Sequence, residues 1–560
     1  MRKWLCVALV LGAGCGGRQH AGKQPARVSL IFTGGDVWTG DPARPRATTL
    51  VVVGGLVDAV GGPELLARRQ PGTRVVDLGG RVVLPGLVDG HAHLMGLGRA
   101  SEILALRWLA SEAEIARMVG VAAAKLPRGS WVFGRGWDQN LWNPTEFPTR
   151  ASLDAAAPGA PVMLRRVDGH AAWVSSEVLR RAGITKDTAD PAGGKIERNA
   201  AGEPTGVLID NAMELVAKVV PDADDATRER WILAGARRCL EHGLVGVHDM
   251  GIDEATAAVY RRLAAAGRLP IRVYGFVEDE TGGGAVDRAL AREPERSGRF
   301  QLRGIKLYAD GALGSRGAAL IEDYSDDAGN RGLTLTKRER IQDIAQRALA
   351  HGWQIGVHAI GDRANRDVLD AYAAVIAGAP ERARALRWRV EHAQVLAPAD
   401  LARFGQLGVL AAMQPVHATS DMPWAEARLG PLRVRRAYAW RAVLAAGGRI
   451  VGGSDFPVED EDPLAGVYAA ITRQDRTGAP EGGWYPDQRM TVDEAIAAFT
   501  SGPAYASFDE ATRGRIARGF AADLTVIDAP AAGVSALSAQ HLLAAKVAIT
   551  LLDGAVAFER

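Results

Sequence analysis

Two histidines separated by one residue close an apolar run, Pro85-Gly86-Leu87-Val88-Asp89-Gly90-His91-Ala92-His93-Leu94. Read as a strand, the run sends successive side chains to opposite faces, so His91 and His93 point the same way. Two imidazoles side by side at a strand end clamp a divalent cation. Further donors follow at the ends of other apolar runs. Lys306 lies in Gly304-Ile305-Lys306-Leu307-Tyr308, His358 ends Gly356-Val357-His358, His392 ends Val390-Glu391-His392, and Asp455 follows Gly452-Gly453-Ser454. Four histidines, one lysine and one aspartate can hold one or two divalent cations. Zinc is the preferred reading, and manganese, iron and cobalt also suit these donors.

Such donors work together only if the chain brings the strand ends to one place. Nine β-rich runs alternate with helical segments, at residues 86–93, 161–167, 244–249, 271–277, 303–309, 354–358, 387–392, 409–414 and 449–454. Alternating strands and helices imply a parallel sheet, and a TIM-like (β/α)8 barrel takes eight strands. The run at 161–167 sits in a stretch rich in Trp, Pro and Gly. It is therefore assigned to an insertion of about residues 126–211, within a barrel domain of residues 85–504. In a barrel the C-terminal strand ends converge on one face, where active sites lie. Short strands with Gly turns at both chain ends predict a small composite β-sandwich from residues 28–84 and 505–560. The fold class is thus α/β.

The chain has 560 residues and a formal net charge of +2. No basic block or acidic tail marks a nucleic-acid partner, and the expected partner is a small-molecule substrate. Residues 1–15 read as an export signal: a positive Met1-Arg2-Lys3, an apolar run, then Gly12-Ala13-Gly14-Cys15. The small residues before Cys15 resemble a bacterial lipoprotein signal, which would tether the protein to a membrane by lipid at Cys15; simple secretion is the alternative. Either way an exported, envelope or periplasmic location is expected, with residues 16–27 as a polar tether. Removal or lipidation of Cys15 leaves Cys239 without a disulfide partner. Cys239 is read as a buried apolar side chain.

The His91/His93 strand, the Lys306 strand, the two single-His strands and Gly453-Ser454-Asp455 resemble the metal-dependent amidohydrolase superfamily. Asp168-Gly169-His170-Ala171-Ala172-Trp173, His358-Ala359-Ile360-Gly361-Asp362 and Gln414-Pro415-Val416-His417 are similar to its branch that includes N-substituted formamide deformylases. The resemblance implies that His91, His93 and Asp455 bind one metal and His358 and His392 a second. It implies a carbamate on Lys306 that bridges the two, and no organic cofactor. The expected reaction is hydrolysis of a non-peptide C–N bond in an amide, formamide or cyclic amide by a metal-activated hydroxide. Asp455 would act as general base, then acid. The same metal site would also serve an ester, lactone or phosphotriester, and a catalytically silent envelope scaffold is the remote alternative.

The insertion is expected to cover the barrel mouth. Trp131, Trp137, Trp142 and Trp173 occur in it beside Arg135, Asp138 and His170. Aromatic walls with a few polar groups suit a small organic substrate, and the same tryptophans would equally form the insertion's own core. The candidate pocket residues are His170, Trp173, Trp137, His417 and Arg316. Asp89 is expected to hydrogen-bond a ligand imidazole.

Overall fold

The computed structural model describes residues 28–278 and 284–560. The export-signal and tether readings, with Cys6 and Cys15, lie outside the described residues. Eight parallel strands curl into a nearly closed barrel: β1 (Leu87–Ala92), β2 (Leu244–Ile252), β3 (Arg272–Glu278), β4 (Phe300–Tyr308), β5 (Gln354–Ala359), β6 (Arg389–His392), β7 (Leu410–Met413) and β8 (Arg449–Gly452). They pair in chain order from β1 to β8. Every residue of β5, β6 and β7 is buried. Parallel strands covered by helices outside and by side chains inside need apolar residues on both faces, which is why these runs do not alternate.

Among the described residues β8 and β1 share no strand ladder. Side-chain and single backbone bonds close the seam instead. The Asp89 carboxylate accepts from Ser454 N at 3.0 Å, Ser454 Oγ at 2.6 Å and His91 N at 3.0 Å. Asp455 N donates to His91 O at 2.8 Å, and His93 N donates to Phe456 O at 2.9 Å.

Past His93 the chain turns into the helix Leu94–Ala100, which packs on the helix Asp225–Glu241 that leads to β2. The latter starts at Asp224, whose side chain accepts from Thr227 N, a capping bond that satisfies one of the free N–H groups of the first turn. The two helices touch at glycines. A Cβ on Gly98 would lie 1.8 Å from Trp231 O, and one on Gly235 would lie 2.4 Å from Leu94 O. Only glycine lets the backbones come this close. Cys239 is buried in the same interface, and burial pushes its thiol far above the usual range, so it is an inert packing group.

Two further sheets flank the barrel. The first joins both chain ends: strands at Val28–Trp38, Arg46–Val53, Leu56–Gly61, Arg74–Asp77 and Val82–Pro85 continue into Leu524–Ile527, Val547–Leu552 and Ala555–Glu559. The strand Val82–Pro85 runs antiparallel to Leu524–Ile527. The sheet is hydrogen-bonded throughout and folds over a core that includes Phe32, Leu50, Leu524 and Ile549. The second lies in the insertion. Its six strands run in the order Gly194–Arg198, Pro204–Asp210, Ala171–Val174, Val162–Arg166, Val132–Trp137, Leu104–Ala105. This sheet reaches back before residue 126. Leu104 and Ala105 pair with Gly134 and Arg135, and Ile115 and Val119 of the helix Glu112–Ala123 enter its core. An amphipathic helix has the same pattern whether it packs on the barrel or on the insertion, so the start of the insertion is not marked in the sequence. Among the described residues no helix is long and apolar enough to cross a membrane.

Candidate metal centre

The strand ends bring five of the six expected ligands into one ring-to-ring cluster. His91 and His93 leave β1 on the same side, with ring centroids 5.8 Å apart. The His392 ring lies 4.7 Å from His91 and 4.6 Å from His358. Asp455 Oδ1 lies 3.0 Å from His93 Nε2 and 3.6 Å from His91 Nε2. One donor atom each from His91, His93 and Asp455 fall within 4.8 Å of one another. Lys306, on β4, lines the same cavity, with Nζ 4.8 Å from the centre of the Tyr308 ring.

Two of these residues hold a backbone conformation that L side chains rarely adopt: φ is +70° at His392 and +61° at Asp455. Such a conformation costs about 1–3 kcal/mol and persists where surrounding structure fixes it. At Asp455 the bond from its N to His91 O does so.

The histidines are held from behind. His91 Nδ1 lies 2.6 Å from Glu391 Oε2, and Arg389 Nη2 donates to the same oxygen at 2.7 Å and to Gly90 O at 2.7 Å. Arg389 Nη1 lies 2.8 Å from His248 Nδ1. Arg389, Glu391 and His248 therefore form a buried polar layer under the His cluster. His392 Nδ1 lies 2.8 Å from Gln414 Oε1. With Nδ1 bonded to these acceptors, Nε2 of His91 and His392 is left as the electron-pair donor. Asp89 does not take the role expected of it. Its carboxylate faces backbone N–H groups and Ser454 across the seam, and the imidazole partner is Glu391. Burial pushes Asp89 up to about 7 although those donors pull it down.

The residues fit a cation on evidence of their own. His91 Nε2, Asp455 Oδ1 and His417 Nε2 are buried without a hydrogen bond of good geometry, the 3.0 Å approach of Asp455 Oδ1 to His93 Nε2 being an ion-pair contact only. Buried polar atoms are nearly always paired, so three convergent orphans mark a place for a ligand. Burial holds His91, His358 and His392 well below the usual imidazole range, so they are neutral donors. Burial works to raise the Asp455 carboxyl, but His91 and His93 outweigh it and hold the group below the usual range. Lys306 has no hydrogen-bond or ion-pair partner among the described residues, and burial lowers its pKa.

A cavity of about 1990 Å³ opens above this cluster. His170 and His417 line it. His170 Nδ1 lies 2.7 Å from Asp210 Oδ1, and its ring is 4.9 Å from His358. Burial alone would lower the His170 pKa, and Asp210 overrides it and raises it. The His417 ring stacks on His392 at 5.9 Å. Trp137, Trp173 and Arg316 do not line the cavity. Trp137 and Trp173 are fully buried in the insertion core, 6.3 Å apart, and their indole N–H groups donate to Leu164 O and Thr149 O. Arg316 turns away to pair with Asp326. The aromatic lining comes instead from Phe133, Trp231, Tyr308 and Trp424, with Trp108 at the exposed rim.

A parallel eight-stranded barrel whose mouth gathers a His-x-His pair, two further histidines, a lysine and an aspartate defines a hydrolase. The chain belongs to the amidohydrolase family, whose sequence profile ("Amidohydrolase family") matches residues 74–558. It is 34% identical over 510 residues to the protein LONG AFTER FAR-RED 3 of Arabidopsis thaliana, covering 89% of this chain and 87% of that one. It is 29% identical over 554 residues to the N-substituted formamide deformylase of Arthrobacter pascens, covering 95% and 98%. Among solved structures, a metal-dependent hydrolase from Pyrococcus horikoshii superposes with a TM-score of 0.72 at 26% identity, covering 90% of this chain and 98% of that one.

Proposed function

We propose that the protein hydrolyses a non-peptide C–N bond in an amide, formamide or cyclic amide with the help of one or two divalent cations, zinc first. The observation that carries the reading is the set of buried, unpartnered atoms His91 Nε2 and Asp455 Oδ1 beside His93, His358 and His392. The formamide deformylase relative supports this choice of bond.

When bound, a divalent cation supplies Lewis acidity: it polarises a carbonyl and brings the pKa of a water toward neutrality. The chain does the rest. His91, His93 and Asp455 would hold one cation, and His358 and His392 a second. Glu391 and Gln414 fix the two imidazoles that need orienting. Lys306, buried and unpaired, is disfavoured as an ammonium. As a neutral amine it adds carbon dioxide and loses a proton, giving a carbamate that donates anionic oxygen. Asp455 is a carboxylate at neutral pH. It takes the proton of the attacking water at a carboxylate oxygen and returns it to the leaving nitrogen. His170, fixed by Asp210, faces the same space and orients the carbonyl oxygen.

The test is elemental analysis of the full chain, with peptide mass mapping of Lys306, beside turnover of formamides, amides and cyclic amides. About two cations per chain, a carbamate on Lys306 and C–N hydrolysis are expected. One cation and a bare Lys306 with retained turnover would remove the bridge. No hydrolysis after reconstitution with zinc, manganese or cobalt would overturn the reading.

A further inference from the structure

The roof of the cavity carries an arrangement that the hydrolytic machinery does not use. Two parallel strands of the insertion, Val132–Trp137 and Val162–Arg166, present one face to the cavity. On that face Phe133 registers with Met163, and Arg135 registers with Arg165. Like charges at registered positions of neighbouring strands destabilise a sheet. A third guanidinium, Arg99 of the helix after β1, sits over the Phe133 ring at 4.9 Å and the Trp231 ring at 5.4 Å.

None of the three has a carboxylate partner among the described residues. Arg135 Nη2 donates to Val167 O at 3.1 Å, and its Nε is buried without a partner. Five acids lining the same cavity are engaged elsewhere. Asp138 and Asp168 take Arg166, Glu102 takes Arg230, Glu459 takes Arg107, and Glu278 accepts the Tyr308 hydroxyl. The mutual repulsion is visible in the groups themselves. Arg135 is pushed down to about 10, first by burial and then by the Arg165 charge, and Arg99 is lowered by burial and by Arg165. The cluster faces the reaction centre, since Asp455 acts back on Arg135 and Glu278 and Tyr308 on Arg165.

We propose that Arg135 and Arg165, with Arg99 beside them, bind an oxyanion on the substrate, so that the compound hydrolysed is an N-acyl or N-formyl amine bearing a carboxylate or phosphate. The proposal rests on the hydrolytic reading and adds the substrate's charge. A guanidinium pair offers two forks of N–H donors to one oxyanion. Bound there, the anion removes the like-charge repulsion and leaves the C–N bond toward the His cluster.

The experiment compares the reconstituted full chain on matched compounds: N-formyl and N-acetyl amino acids, their neutral carboxamides, and N-acetyl ethanolamine phosphate beside its free alcohol. Binding of the same compounds is followed by calorimetry. Arg165→Gln is the main variant, because its side chain has no partner to lose among the described residues. Arg135→Gln is the second, and Arg165→Lys tests rescue. We expect kcat/KM to favour the anion over its neutral match by at least about tenfold, through KM. Arg165→Gln should erase that preference by lowering kcat/KM on the anions far more than on the carboxamides, and Arg165→Lys should restore part of it. Preference for carboxylate over phosphate, or the reverse, assigns the oxyanion. Anion-selective binding without turnover of any compound supports this site and defeats the hydrolytic reading alone. Turnover without charge preference, equal losses on charged and neutral compounds, or no anion binding in calorimetry overturns it.

Discussion

The floor and the roof of the cavity are built on opposite plans. On the floor two of the donors are backed by partners: Glu391 behind His91, Gln414 behind His392. The donor atoms that remain free point to one place. On the roof Trp137, Trp142 and Trp173 are consumed by the insertion's own core, and guanidiniums stand side by side without counter-charges among the described residues. The floor is over-determined by strand register and buried polar bonds. The roof is held by a core that reaches the cavity on one face only. The contrast separates the residues that make bond cleavage possible from those that select what enters.

Four changes break or sharpen this contrast. Asp455→Asn should remove the proton acceptor and lower kcat by about 10²–10⁴-fold with the fold intact, read by steady-state kinetics and circular dichroism. An activity within tenfold of the parent would show that the floor is misassigned. Glu391→Gln should weaken cation affinity by about 10–100-fold, read by competition with a chelating dye. It should also destabilise the protein by about 3–5 kcal/mol, since Arg389 is left as a buried charge without its partner. Unchanged affinity would mean that His91 needs no support from behind. On the roof, Trp137→Phe removes the bond to Leu164 O and should cost about 1 kcal/mol in denaturant unfolding. Its kcat/KM should stay near the parent's, and a large change in KM would return Trp137 to the pocket. The smallest effect belongs to Arg316→Ala. Its half-exposed pair with Asp326 is worth under about 1 kcal/mol, and turnover should not move.

The barrel was legible because its strands are apolar runs buried on both sides, which few other folds require. The donors were legible because histidine, lysine and aspartate are conspicuous at the ends of such runs. Glu391 escaped attention beside His392, although a signal was present. Arg389 and Glu391 stand two apart on either side of Val390, a spacing that sends both charges to one face of the strand, the barrel interior. His392 still reaches the mouth because its backbone turns to positive φ, which no residue pattern announces. Asp89 is conspicuous in the sequence but its partner is not, since proximity in sequence to His91 does not say which group its carboxylate faces. The tryptophans of the insertion could not be placed, because alternation separates two faces of a strand without telling which is covered. Arg135 and Arg165 become a pair only through strand register, over thirty positions of chain that sequence spacing cannot measure.

The seam between β8 and β1 has a mechanical meaning. His91 lies in one edge strand with His93 just past its end, and Asp455 follows the other, so a cation held by all three would be a clasp across the one junction where the barrel wall lacks a ladder among the described residues. Loading the site would then do for the barrel what a fastener does for an open hoop. The chain stripped of cations should exchange the amides of β1 and the 453–457 turn ahead of the rest of the barrel, and the loaded chain should protect them together. Assembly of the enzyme and closure of its wall would be one event.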